Sequence, residues 1–311
     1  MFSLKGSVIP AVMPKVLLCS GFGIFVSLLE DWHWVNGWPT LSNVIPSIVL
    51  GLLLVFRTNT AYERFWEGRK AWGTLVNTVR NLTRRIWVFV EEKTPEDRAH
   101  KVEALKLIVA FTIAMKYHLR QEQGGQEQEG QELLDWMGDR HQFLQDTPNP
   151  PLTLAFWIED YLQQQYAAQR VDLYQITTMN MLLDTMVDTL GACERILKTP
   201  MPMAYAIHLK QLLLIYCLLL PLQMVGEIGY WAGPIVGLVS FTLFGIEEIG
   251  LEIENPFGHD PNDLPLDDIC RTMGINVESL MELQPTAYRH WKQDENALPT
   301  ESVLSAGLRS L

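Results

Sequence analysis

Cysteine is scarce in this sequence, and the four present, Cys19, Cys193, Cys217 and Cys270, show no CxxC spacing. Two of them lie inside apolar runs, so neither a disulfide framework nor a zinc site is readable. Basic residues are also few: 24 Lys and Arg stand against 36 Asp and Glu, for a net charge of −12. That balance argues against broad binding to nucleic acid or to an anionic lipid surface, both of which favour clustered cations. Catalytic signatures are missing as well. There is no GxSxG, HExxH or P-loop, no GxGxxG after a strand, and no paired ExxH of the kind a di-iron bundle needs. The seven histidines are dispersed, and His118 and His208 read as surface or interface residues rather than ligands. The chain is therefore read as a non-enzyme without a cofactor. Period-2 alternation, the mark of a half-buried strand, occurs nowhere, so the fold class is all-α.

What the 311 residues do contain is apolar mass, unevenly spread: runs crowd residues 8 to 56 and 203 to 251, while the middle is rich in Gln, Glu and Arg. That distribution describes a membrane protein with a water-exposed portion. The first run, Val16 to Leu29, is followed by Trp32, Trp34 and Trp38, as at an aromatic interfacial belt, and by no small-residue cleavage site, which excludes a signal peptide. The second, Val44 to Phe56, passes without a breaker into RTNTAYERFWEGRKAWG, as one helix leaving the membrane for water would. The third, Leu212 to Val225, and the fourth, Tyr230 to Ile246, are separated by Gly226-Glu227. Two hairpins, four membrane helices in all, are expected in lipid bilayer. The short turns at 30 to 39 and 226 to 233 carry no Lys or Arg, whereas Arg57, Arg64, Arg69, Lys70, Arg80, Arg84 and Arg85 follow the second run. The bias puts both termini and the 57 to 202 region in the cytoplasm.

The expected organisation is an N-terminal part with the first two membrane helices (1–73), a helical cytoplasmic domain (74–202), the second hairpin (203–250) and a C-terminal cytoplasmic segment (251–311). Beyond the second membrane run, 57–92, 96–120, 133–143, 152–169 and 172–198 read as helices. Thr94-Pro95-Glu96 supplies a start signal for the second of these. The stretch QEQGGQEQEGQE at 121–132 is too polar to bury a core and is expected to be a mobile loop.

Two segments stand out as chemistry. At about 100 degrees per residue, Ile48, Leu52 and Phe56 fall within roughly 80 degrees of one another, and Val55, Asn59, Glu63 and Trp66 continue the stripe; Arg57 points about 180 degrees away from Ile48. From spacing alone, contact with lipid or a neighbouring helix explains this stripe better than a pore does, because almost every residue from 44 to 56 is apolar. The second segment, ENPFGHDPNDLPLDDICRTM at 254–273, holds Asp260, Asp263, Asp267 and Asp268 after a turn. It lacks the EF-hand spacing, so it reads as a turn before a capped helix, with a calcium site as the alternative.

Three stretches, Phe56 to Gly73, Gly191 to Leu213 and Glu254 to Arg271, resemble the bestrophin family, specifically its bacterial and plant-type branch. The resemblance covers nearly the whole chain, with 121–132 as a local insertion. It implies a homopentameric ion channel, four membrane helices per subunit continuous with a helical cytoplasmic part, and one pore on the five-fold axis. In that family the second membrane helix lines the pore and narrows it to a hydrophobic neck. The matching positions here are Ile48, Leu52 and Phe56, with Asn59 and Glu63 below them, and an ungapped match puts the family's cytoplasmic aperture near Tyr174. Animal members bind calcium after the NPFG turn, where Asp260 and Asp263 match, but Pro261 and Asn262 interrupt the acidic run, and Asp263 is expected to be an N-cap.

Selectivity is pulled two ways. Net charge, the outer Glu30, Asp31 and Glu227, and Glu63 would attract cations; neutralisation of Glu63 by Arg64 or Arg69, and electropositive helix N-termini, would favour anions. The expectation is a channel for chloride, with a monovalent-cation channel as the alternative. A secondary transporter would need a broken membrane helix, for which Pro221-Leu222-Gln223 is the only candidate. A non-conducting scaffold would tolerate alanine at 48, 52 and 56.

Overall fold

A computed structural model describes residues 6–34, 44–120, 126–144, 147–283 and 285, with the backbone alone at 44 and 126–130. The described residues are helical, with no strand among them. In chain order the helices are α1 (Ile9–Asp31), α2 (Val44–Phe89), α3 (Pro95–Arg120), α4 (Gln126–Met137), α5 (Pro150–Ala167), α6 (Leu173–Lys198), α7 (Met203–Ile228), α8 (Ala232–Glu252) and α9 (Leu266–Glu282). The chain divides into two compact units, Met1–Gly73 with Gly191–Pro265, and Thr74–Leu190 with Leu266–Leu311. Helices α2 and α6 each run from one unit into the other.

The first unit is built on apolar helices. Three stretches are long and apolar enough to cross a membrane: Ile9–Asp31, Ile45–Phe89 and Met203–Glu252. The third contains a turn. Gly229 sits at φ 52°, a conformation that favours glycine, and ends α7 before α8 begins. Pro221 lies inside α7 without interrupting it, so the one candidate break for a transporter is a continuous helix. At its C-terminal end α1 closes with His33 at φ 57° and a bond from Trp34 N–H to the Leu29 carbonyl, a Schellman-type stop. Packing of α1 on α8 depends on small residues: a Cβ on Gly23 would lie 2.9 Å from the Gly233 Cα. Beside this crossing, Ser20 Oγ donates to the Gly233 carbonyl and Ser27 Oγ to that of Gly229. Val12, Val16 and Cys19 of α1 meet Leu209, Leu213 and Cys217 of α7, Leu50 and Leu54 of α2, and Val236 and Phe244 of α8 in one buried cluster.

The second unit packs around α3, which touches α4, α5 and α9. Residues 108 to 117 of α3 are buried on every side. Its start follows the expected signal: Asp97 accepts from the N–H groups of Lys93 and Thr94, and Thr94 Oγ1 accepts from Asp97 N–H. Lys116, inside this core, donates to both carboxylate oxygens of Glu132 (3.0 and 2.7 Å) and to Asp267 (2.9 Å). Burial works against the Lys116 charge, but these bonds outweigh it and hold the ammonium above its ordinary value. The Arg120 guanidinium clasps Asp267 from the other side, at 3.1 and 2.8 Å, and keeps that carboxyl far below the usual carboxylate range.

One expectation changes here. Of the stretch read as a mobile loop, residues 121–125 lie outside the described residues, while from Gln126 the chain forms α4. Gln and Glu are good helix formers, and Leu133 and Met137 give the helix a buried side. Glu132 then ties it to Lys116.

Candidate functional site

The first thirty residues of α2 have two unlike faces. Leu50, Leu54, Arg57 and Ala61 are buried, at 3.6-residue spacing. On the opposite face Ile48 is 63% exposed, Leu52 53% and Phe56 56%, flanked by exposed Ile45, Val49 and Val55. An apolar row this large does not face water in an isolated soluble chain; it calls for lipid or another subunit. The 180-degree placement of Arg57 is also what the helix shows, since that side chain is wholly buried while its neighbour Phe56 is out.

Asn59 and Glu63 continue the exposed face, with Asn59 Nδ2 donating to Glu63 Oε1 at 3.5 Å. Trp66 follows, with the Lys70 ammonium 5.8 Å from its ring centre. Neutralisation of Glu63 by Arg64 is not what the geometry provides. Arg64 turns inward, where Nε donates to the Glu254 carbonyl (3.1 Å), Nη2 to that of Ile196 (2.6 Å) and Nη1 to that of Thr199. It thereby closes the C-terminal end of α6, whose last carbonyls lack helical partners. No ion pair to Arg69 or any other cation is found for Glu63 among the described residues, whereas Glu67 pairs with Arg195.

Tyr174 belongs to the second unit, as the second residue of α6, and is 84% exposed. A reciprocal cap positions it: Asp172 accepts from Gln175 N–H at 2.8 Å while Gln175 Oε1 accepts from Asp172 N–H at 2.9 Å.

The NPFG turn is a packing device. Phe257 is fully buried against Gly68 of α2, where a Cβ would approach its ring to 3.2 Å. Asp263 does not cap the next helix, which begins three residues later at Leu266; its Oδ2 accepts the Asp260 N–H at 2.8 Å and closes the turn. Burial raises the Asp263 carboxyl above its ordinary value. Among the described residues no group of three or more His, Cys, Asp and Glu is arranged to hold a metal, and Asp260 and Asp263 meet through a backbone bond.

The sequence profile described as "Bacterial/Fungal Bestrophin protein" matches residues 1–279. The chain belongs to the bestrophin family. Among curated relatives, this bestrophin is 58% identical over 290 residues to a voltage-dependent anion channel-forming protein of Nostoc sp., covering 93% of each chain. It is 55% identical over 281 residues to a protein of the same description from Synechocystis sp., covering 90% of each. The crystal structure of a bacterial bestrophin homolog from Klebsiella pneumoniae superposes with a TM-score of 0.78 at 24% identity, covering 88% of this chain and all of that one. That last likeness is one of fold.

Sequence reasoning missed two features of the site: the occupation of Arg64 by carbonyls, and a second carboxylate, Glu247 of α8, buried near Arg57. The former had no signature in sequence, while the signal for the latter was an acidic residue at the end of an apolar run, seven residues before Glu254.

Proposed function

We propose that this bestrophin is a subunit of a channel that passes chloride and similar small anions down their gradient through a pentameric pore lined by α2. The observation that carries the reading is the 58% identity, along 93% of both chains, to the Nostoc protein named as anion channel-forming. Helices α7 and α8, of 26 and 21 residues, are each long enough for a bilayer of about 30 Å at 1.5 Å per residue. Four spans per subunit, both termini in the cytoplasm, and a second unit outside the membrane complete the arrangement.

In such a pore the exposed row of Ile48, Leu52 and Phe56 supplies three apolar rings. Apolar rings offer a dehydrating ion no dipoles, so passage depends on wetting or widening the constriction. Alanine at all three positions is expected to raise single-channel current severalfold; an unchanged current in planar bilayers rules out the neck. Below it, Asn59 amides and backbone dipoles are available to an anion, and Tyr174 is the candidate for a second, cytoplasmic constriction.

One observation favours a second reading, a monovalent-cation channel: Glu63 is exposed on the same face without a cationic partner among the described residues. The reversal potential of purified protein under an asymmetric KCl gradient decides between them. A value near the chloride equilibrium potential supports the anion channel. A value near that of potassium overturns it and makes Glu63 the selectivity group.

A further inference from the structure

Arg57 is the most unusual charge in the first unit. Its side chain is 0% exposed, and Nε and both Nη atoms have no hydrogen-bond partner. Buried charges left this way are expensive, so each calls for an explanation. Gly250 and Glu247 of α8 and Glu254 just beyond it lie beside Arg57. Glu254 Oε2 lies 3.7 Å from Nη2, while its Oε1 accepts the Met201 N–H at 3.0 Å. Gly250 leaves room beside Nε, since a Cβ there would be 3.5 Å away. One turn earlier Glu247 is 1% exposed, with neither carboxylate oxygen hydrogen-bonded. It faces the charges of Arg57, of Lys210 on α7 at 3.8 Å and of Lys15 on α1 at 3.9 Å, and Lys15 itself bonds Glu248 at 2.9 Å.

Every ion pair that Arg57 and Glu247 make is thus just longer than a hydrogen bond, in contrast to Arg64 two turns further along the same buried side of α2. The difference is mechanical. A hydrogen bond is lost beyond about 3.5 Å and when its angle bends, whereas Coulomb attraction falls as 1/r, so a pair stretched from 3.7 Å to about 5 Å keeps roughly three quarters of it. Arg64 therefore anchors α2 beside Glu254, while two turns nearer the apolar row Arg57 holds it by an attraction that tolerates small twisting above that anchor. Phe56, on the facing side of the same helical turn, moves with it.

We infer that Arg57 is a positioning residue for conduction: attraction to Glu254 and Glu247 sets the rotation of α2, and with it how far Ile48, Leu52 and Phe56 project into the pore. This rests on the reading of α2 as the pore helix. The test is single-channel recording of the purified full chain in planar bilayers with KCl, for Arg57→Met, Arg57→Lys and Glu254→Gln, each alone and with alanine at 48, 52 and 56. Glu254→Gln leaves α2 untouched and keeps an acceptor for Met201 N–H, so it reports even where Arg57→Met fails to assemble. Expected are a change in open probability of about fivefold for Arg57→Met and in the same direction for Glu254→Gln, as a coupling of about 1 kcal/mol gives. Unitary current should shift too, by less than the alanine changes shift it, and Arg57→Lys should restore both native values. In the alanine background neither change should have further effect. The same shift in both backgrounds, or fewer channels with native open probability, overturns the inference while leaving the neck intact. If the alanine changes themselves leave the current unaltered, the pore-helix reading fails, and this inference with it.

Discussion

Lys116 in the second unit and Arg57 in the first are both sealed from solvent, at 1% and 0% exposure, yet their partners differ in kind. Lys116 makes three hydrogen bonds of 3.0 Å or less to two carboxylates, and Asp267 is further clasped by Arg120. Arg57 has one ion pair at 3.7 Å and no hydrogen bond. Directional bonds fix one arrangement of α3, α4 and α9; the charges around Arg57 constrain the part of α2 above the Arg64 anchor less tightly. A buried charge is thus used for rigidity in one unit and for compliance in the other.

The contrast breaks most visibly at Lys116. Lys116→Met removes the cation from two carboxylates that stay in place, and should destabilise the second unit by about 3 kcal/mol, the low end for breaking a buried pair because Glu132 and Asp267 are partly solvated. Urea unfolding of the detergent-solubilised chain, followed by the fluorescence of Trp136 beside Gly274, reads the loss. A smaller loss should accompany acid. The Asp267 carboxyl is depressed in the folded state, so its contribution is fully present above the ordinary value of about 3.9 and disappears as pH falls through its lower folded value. Asp267→Asn should remove that acid-dependent component; unfolding curves that keep the same pH dependence would contradict the assignment. The smallest change is expected at Arg57. Arg57→Met also leaves carboxylates behind, but Glu254 keeps its bond from Met201 N–H and Glu247 keeps the Lys15 and Lys210 charges within 4 Å, so the loss should stay below that at Lys116, at about 1 kcal/mol. A loss as large as that at Lys116 would erase the difference between the two sites.

Much of the helical framework was readable because its causes are local. The apolar run of α1, the unbroken passage of α2 from Val44 through Phe89, and the Thr94-Pro95 start of α3 depend on residues within one or two turns. The exposed face of α2 was readable for the same reason: helical geometry alone separates Ile48, Leu52 and Phe56 from Arg57. Composition misled at 126–132, where polarity was taken for absence of structure although a buried edge at Leu133 and Met137 and an anchor at Glu132 were in the sequence. It misled again at Asp263, where the choice between capping α9 and closing the NPFG turn turns on where Asp260 N–H points.

The amino-acid sequence by itself determined the all-helical fold, the apolar stretches able to span a membrane, membership in the bestrophin family and which side chains share a face of α2. Only the tertiary structure decided which charges meet. Arg57 finds Glu254, Arg64 finds the carbonyls of Ile196 and Thr199, Lys15 finds Glu248, and Lys116 finds Asp267. These partners are 130 to 230 residues apart or thereabouts, beyond the reach of helical periodicity. In the first unit the pairing follows from the close approach of α1 and α8 at Gly23 and Gly233 and from Phe257 seated on Gly68, and in the second from the packing of α3 on α9. Steric fit brings the backbones together, and the charges then take whichever partners that fit leaves within reach.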